Sequence, residues 1–126
     1  MRYNFRTALK AIAAIFVLVF ALNTLTACAD QKVEMSTVTA VIDVRTPAEV
    51  AETGHLEGAL TYDWQGSDFA AQAETLDKAG NYVIYCRSGN RAGQAIDAMT
   101  SMGFSNLTNA GGVDNASTVT GIEIVQ

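Results

Sequence analysis

The segment Tyr82-Val83-Ile84-Tyr85-Cys86-Arg87-Ser88-Gly89-Asn90-Arg91 decides how the rest of the chain is read. Its first four residues are aromatic or β-branched, the composition of a buried strand. The strand stops at a cysteine, and a short loop with one glycine follows. Across Ala92–Met102, Ala95, Ile96, Met99 and Met102 then recur at helical spacing until Gly103 ends the run. A cysteine at the carboxyl end of a strand, followed by a tight turn into a helix, faces several inward-turned backbone N–H groups. Such a nest, backed by the positive end of the helix, stabilises a thiolate or a bound anion. Arg87 and Arg91 add formal positive charge beside it. Cys86 is therefore expected to have a lowered pKa and to act as a nucleophile. The rival reading is an inert cysteine buried at a strand end, and two arginines and a glycine turn argue against it.

Outward from this unit, strands alternate with helices. Ala40–Val44 (AVIDV) is a compact apolar run of the kind found in parallel sheets. Thr46-Pro47-Ala48-Glu49 is a capping box with proline at the first helical position, so a helix begins at Pro47 and ends before Gly54. Ala59–Tyr62 reads as a second strand. Ser67 or Asp68 caps a helix running through Asp77, closed by Gly80. Phe104–Thr108 is a fourth strand, the Asn109-Ala110-Gly111-Gly112 turn follows, and Ile122–Val125 is a last strand or extended tail. This alternation implies an α/β domain, a parallel sheet with helices on both faces. In such sheets, sites lie beyond the carboxyl ends of the strands, where Cys86 stands.

Composition narrows the chemistry. The 126 residues include eight basic and thirteen acidic side chains, a formal charge of -5, and no cluster of the kind that binds a polyanion, so no nucleic-acid partner is expected. One histidine and two cysteines do not supply a zinc site, and neither a metal nor a cofactor is expected. Two cysteines also fail to make a disulfide scaffold.

The first 27 residues read as an export signal. Arg2, Arg6 and Lys10 precede Ala11–Leu22, twelve apolar residues without interruption, too few to span a bilayer and the right number for a signal core. Leu25-Thr26-Ala27-Cys28 resembles a lipobox, in which Cys28 is acylated and becomes the new N-terminus. Ala27-Cys28-Ala29 also satisfies the small-x-small rule for ordinary cleavage after Ala29. The lipobox is the preferred reading, which places the protein in the periplasm or cell envelope, anchored to a membrane by lipid. Residues 28–39 are then a tether and 40–126 the folded domain. On either route the mature chain loses three basic residues and carries a net charge of -8. Cys86 becomes its one free thiol, which in an exported protein calls for a use.

Loop length separates two nucleophilic chemistries. Cysteine-dependent phosphatases place an arginine after five intervening residues, in a cradle shaped for a phosphoryl group. Here Arg91 follows Cys86 after four, and the smaller pocket suits a single sulfur atom. Taken together, Asp43-Val44-Arg45-Thr46-Pro47-Ala48-Glu49, Gly54-His55-Leu56-Glu57-Gly58-Ala59, Tyr85–Gly93 and Asn109-Ala110-Gly111-Gly112 resemble a single-domain rhodanese, in the same order and spacing from about Ala40 to Val113. The resemblance implies a five-stranded parallel sheet between helices. It implies sulfane-sulfur transfer through a persulfide on Cys86, with a small anionic donor such as thiosulfate and a thiol or cyanide acceptor.

By the same resemblance, Arg87, Ser88, Gly89, Asn90 and Arg91 form the loop that holds the persulfide, and both arginines face the donor. Asp43 and Arg45 support the site, and His55 is structural. Trp64 is expected as a half-buried core residue. A monomer is expected. The segment before Ala40 is too short for the additional N-terminal helix of many rhodaneses, and the polar tail Asp114–Gln126 lacks their usual tryptophan after the Gly-Gly turn. The alternative functions are a binding module that uses the loop without turnover and a persulfide or redox relay for a partner protein.

Overall fold

A computed structural model describes residues 31–126. The proposed signal segment, its cleavage site and Cys28 lie outside them. After a single 3-10 turn at Met35–Thr37, the elements are β1 (Ala40–Asp43), α1 (Pro47–Thr53), β2 (His55–Leu56), β3 (Leu60–Thr61), α2 (Phe69–Glu74), β4 (Asn81–Tyr85), α3 (Asn90–Ser101), β5 (Asn106–Asn109), α4 (Val113–Thr120) and β6 (Ile124–Val125).

Four strands form a parallel sheet in the order β3-β1-β4-β5, with Val41 opposite Val83 and Val83 opposite Thr108. The two central strands are apolar because side chains from both of their faces are covered. Tyr82, Ile84 and Cys86 alternate into one core with Ile42, Val44, Phe69, Ala95, Met99 and Phe104. Val83 and Tyr85 point the other way, into a second core with Val41, Leu56, Ala116 and Val119. The Tyr82 and Phe104 rings meet edge to face at 5.7 Å, which fixes the chain where α3 hands over to β5.

The α/β architecture is the expected one, and the strand inventory is arranged differently. Among the described residues, instead of a fifth parallel strand there is a separate antiparallel ribbon, in which His55 pairs with Val125 and Leu56 with Ile124. Two residues per strand suffice there because the ends are tied further, Glu57 N–H donating to the Glu123 carbonyl at 2.9 Å and Leu56 N–H to the Tyr85 hydroxyl at 2.9 Å. The polar segment after Gly112 contains a helix, α4, that its composition conceals. Ala116, Val119 and Thr120 form its buried stripe, and the Thr120 hydroxyl is satisfied by the Ala116 carbonyl at 2.6 Å. Small side chains let α4 pack closely without a conspicuous apolar pattern.

The α1 capping box forms as the sequence requires, with Thr46 and Glu49 bonded reciprocally. By contrast α2 ends at Glu74, short of Asp77. Asp68 occupies its N-cap position without capping it, its carboxylate accepting instead from the Ser67 hydroxyl at 3.2 Å.

Candidate active site

Cys86 leaves β4 fully buried, with its backbone N–H donating to the Gly111 carbonyl at 3.0 Å. The chain then turns around the sulfur. Gly89 N–H donates to Cys86 Sγ at 2.9 Å. Burial pushes the thiol up, but the backbone N–H groups of Ala92, Ser88, Gly89 and Arg91 oppose it, and the net result lies below the ordinary thiol value. One direct hydrogen bond and a run of neighbouring loop amides make a seat for negative charge on this sulfur.

The turn is possible because Gly89 adopts φ +93, the left-handed conformation glycine enters without strain. A second strand end braces it. Asn109 Nδ2 donates to the Gly89 carbonyl at 2.9 Å, while Asn109 Oδ1 accepts from Gly111 N–H at 2.9 Å. Gly112 then passes so close to the loop that a Cβ on it would lie 2.6 Å from the Arg87 carbonyl oxygen. The Asn-Ala-Gly-Gly turn is thus the back wall of the sulfur site.

The expected site residues are not all placed alike. Arg87, Ser88 and Asn90 are exposed on the loop. No carboxylate lies within ion-pair distance of Arg87 among the described residues. Arg91 has a committed partner that sequence reading did not give it: its Nη1 and Nη2 donate to Glu49 Oε2 and Oε1, each at 2.7 Å. The Arg91 guanidinium holds Glu49 well below the usual carboxylate range, down to about 2. Glu49 Oε2 also accepts from the Thr46 N–H at 3.0 Å and the Thr46 hydroxyl at 2.9 Å. The capping box of α1 and the last arginine of the loop therefore share one carboxylate. The Thr-x-x-Glu pattern marked Glu49 as a cap, but no local pattern could reveal a partner 42 positions away.

Asp43 and Arg45 form a buried pair, at 0% and 2% exposure, and Arg45 lines one groove together with Arg87. Arg45 Nε donates to both Asp43 oxygens at 3.0 Å, Nη1 to Thr53 Oγ1 at 2.8 Å and Nη2 to the Gly54 carbonyl at 2.6 Å. With every polar atom answered, this pair ties the end of β1 to the end of α1, and the Tyr85 ring packs 5.8 Å from the guanidinium. His55 lies in the β2–β6 ribbon, half-buried. Trp64 is half-buried, stacked edge-on against Phe69 at 5.0 Å, with its Nε1 donating to Gln94 Oε1 at 2.8 Å.

Two grooves border the loop. One of about 770 Å³ runs along Ser88, Asn90, Arg91, Trp64 and Gln94. The other, of about 540 Å³, lies between α1 and α4 and includes Glu52, Gly112, Asp114 and Ile124. Arg87 and Glu49 line both. No three His, Cys, Asp or Glu side chains among the described residues are grouped to hold a metal ion.

Comparison with known proteins agrees with this geometry. A family model described as "Rhodanese-like domain" matches residues 26–116. The chain is 31% identical over 72 residues to thiosulfate sulfurtransferase PspE of Escherichia coli (strain K12), covering 57% of this chain and 68% of that protein. It is 35% identical over 88 residues to the putative sulfurtransferase YtwF of Bacillus subtilis (strain 168), covering 70% and 82%. Among solved structures, an E. coli protein described as "rhodanese with anions" superposes with a TM-score of 0.51 at 29% identity, covering 60% of this chain and 88% of that one.

Proposed function

The chain belongs to the rhodanese-like domain family, and on that premise we propose that it moves sulfane sulfur from thiosulfate, or a donor like it, to a thiol or cyanide through a persulfide on Cys86. The observation that carries the reading is the convergence of loop N–H groups on a buried sulfur whose thiol lies below its ordinary value. The Cys86 thiolate attacks the outer sulfur of thiosulfate, a new S–S bond forms, and the old S–S bond breaks with its electron pair leaving on sulfite. The terminal sulfur then carries the negative charge, which the neighbouring loop amides stabilise on this reading. Cyanide or an acceptor thiolate attacks that sulfur, takes it as thiocyanate or a new persulfide, and returns the Cys86 thiolate. No external oxidant or reductant enters the cycle.

The test is thiocyanate formation from thiosulfate and cyanide by purified protein, together with mass spectrometry after thiosulfate alone. A gain of one sulfur mass on the Cys86 peptide is expected, absent in Cys86→Ser. Thiocyanate formation at wild-type rate by folded Cys86→Ser would overturn the mechanism.

We also propose that residues 1–27 direct export and that Cys28 carries the lipid anchor. The support is the basic flank, the twelve apolar residues and the lipobox-like Leu25–Cys28 segment.

A further inference from the structure

Of the five basic residues among those described, three are paired: Arg45 with Asp43, Lys78 with Glu74 and Arg91 with Glu49. Of the remaining two, Lys32 and Arg87, only Arg87 lies on the sulfur loop. We propose that Glu49 is a positioning residue that balances the charge of the loop. It holds Arg91 as a tether and cancels its charge, so that an anionic donor meets one free guanidinium, that of Arg87, rather than two.

The geometry supports both halves of this assignment. Glu49 is held independently of Arg91, because the Thr46 N–H and hydroxyl bond its Oε2 at the start of α1. Two parallel contacts of 2.7 Å then use both terminal nitrogens of Arg91, the bidentate form that fixes a guanidinium in orientation as well as position. Arg91 also follows directly on the Gly89–Asn90 turn that bonds the sulfur, and its backbone N–H is among those that lower the Cys86 thiol. Holding its side chain therefore steadies the end of that turn. Glu49 and Arg87 line the same two grooves, so the carboxylate stands where an entering anion would sense it.

The consequence rests on the sulfur-transfer reading. Thiosulfate and the departing sulfite are both small anions with the same kind of oxygen face. Charge that binds both equally lowers KM without raising kcat, and it slows the release of sulfite. Glu49 sets that balance by removing one of two positive charges.

A charge cycle tests it with Glu49→Gln, Arg91→Gln and the double variant, using sulfite binding by calorimetry beside steady-state kinetics with thiosulfate. Glu49→Gln keeps the side-chain length and uncovers Arg91. It is expected to bind sulfite about threefold to tenfold more tightly, about 0.6–1.4 kcal/mol, and to lower KM for thiosulfate without raising kcat. Arg91→Gln leaves Glu49 unpaired and weakens both by a similar factor. The double variant restores the wild-type sulfite affinity while kcat stays low, because the tether is gone. Glu49→Asp retains the charge and should keep the wild-type salt dependence of sulfite binding. A purely structural Glu49 predicts weaker or unchanged sulfite binding in Glu49→Gln, and that result overturns the proposal. Should Glu49→Gln fail to fold, tighter sulfite binding by the double variant than by Arg91→Gln carries the same comparison, and its absence has the same force. Sulfite binding is read without turnover. A wild type that binds sulfite in the expected order but forms no thiocyanate would refute the sulfur-transfer reading and leave Glu49's role standing.

Discussion

Gly112→Ala isolates how closely the back wall is fitted to the sulfur loop. Gly112 has φ -85, a conformation open to alanine, so backbone strain does not enter. What enters is contact. The new Cβ would stand 2.6 Å from the Arg87 carbonyl oxygen, 3.4 Å from its carbon and 4.0 Å from Ser88 N. Ordinary contact begins near 3.4 Å, so Gly112 and the Arg87–Ser88 peptide must separate by about 0.8 Å. Gly112 opens α4, and its carbonyl accepts from Ala116 N–H at 2.8 Å. Part of the movement therefore falls on the Arg87–Ser88 peptide, whose Ser88 N–H is among those that face Cys86 Sγ. Overpacking of this kind costs about 1–3 kcal/mol of stability. Displacing a reacting group by about 1 Å costs on the order of a hundredfold in rate, so kcat should fall about tenfold to a hundredfold. Thiocyanate formation measures the rate, and iodoacetamide alkylation followed against pH reads the Cys86 thiol. The alkylation curve should move to higher pH as the Ser88 donor is pulled away. Gly93→Ala is the control, since its Cβ meets only Asn109 Nδ2 at 3.6 Å, an ordinary distance. A folded Gly112→Ala with wild-type kcat and an unmoved alkylation curve would refute the account of loop placement.

Arg87→Ala removes the unpaired cation of the loop and should raise KM for thiosulfate with a smaller change in kcat, the pattern of lost uniform binding. Rising salt should bring the wild type toward the Arg87→Ala value, because exposed charge is screened over about 10 Å; identical KM values across a salt series would contradict this. Glu49 has its folded pKa depressed from 4.5 to about 2, so its contribution is complete above 4.5 and is lost as pH falls through that window. The full shift corresponds to about 3 kcal/mol, and the pair's partial exposure reduces the expectation to about 1–2 kcal/mol. Denaturant midpoints at pH 6 and near pH 2.5 should therefore differ more in the wild type than in Glu49→Gln, and parallel curves would count against it. Cys28→Ser should move the protein from membrane pellet to soluble fraction, because the acyl chains on Cys28 together exceed a single chain's reversible binding; a wild type already soluble and beginning at Asp30 would refute lipidation.

What was legible in the sequence follows from the range of the forces involved. The Thr46–Glu49 box, the β4 strand and the turn at Gly89 are local, set by propensity, capping and left-handed φ, and all can be read from a few neighbouring residues. The two faces of β4 were legible as well, since a continuous apolar run means cover on both sides. The α4 helix was missed because its buried stripe of Ala116, Val119 and Thr120 is small and partly polar. Such a helix is stabilised by the surface it meets, which no periodicity reports. The bonds from Glu49 to Arg91 and from Asn109 to Gly89 join residues 42 and 20 positions apart. Sequence placed Arg91 in the loop, but the carboxylate that claims its charge became visible only when α1 and α3 were set side by side.

The β2–β6 ribbon has a kinetic meaning. It joins His55 to Val125, residues 70 apart in the chain, whereas β4 and β5 pair Asn81 with Asn106 across 25. Closing a loop costs entropy that grows with the logarithm of its length, and the ribbon offers only two paired positions in return. The short-range parallel pairs that carry Cys86 are therefore expected to be formed at the folding barrier, with the ribbon zipping up afterwards. Truncating Val125 to alanine should then speed unfolding and leave the refolding limb of the chevron nearly unchanged, while Val83→Ala, in the middle of β4, should slow refolding as well. The last strand of the chain is in this sense a latch on a sheet that has already found its register.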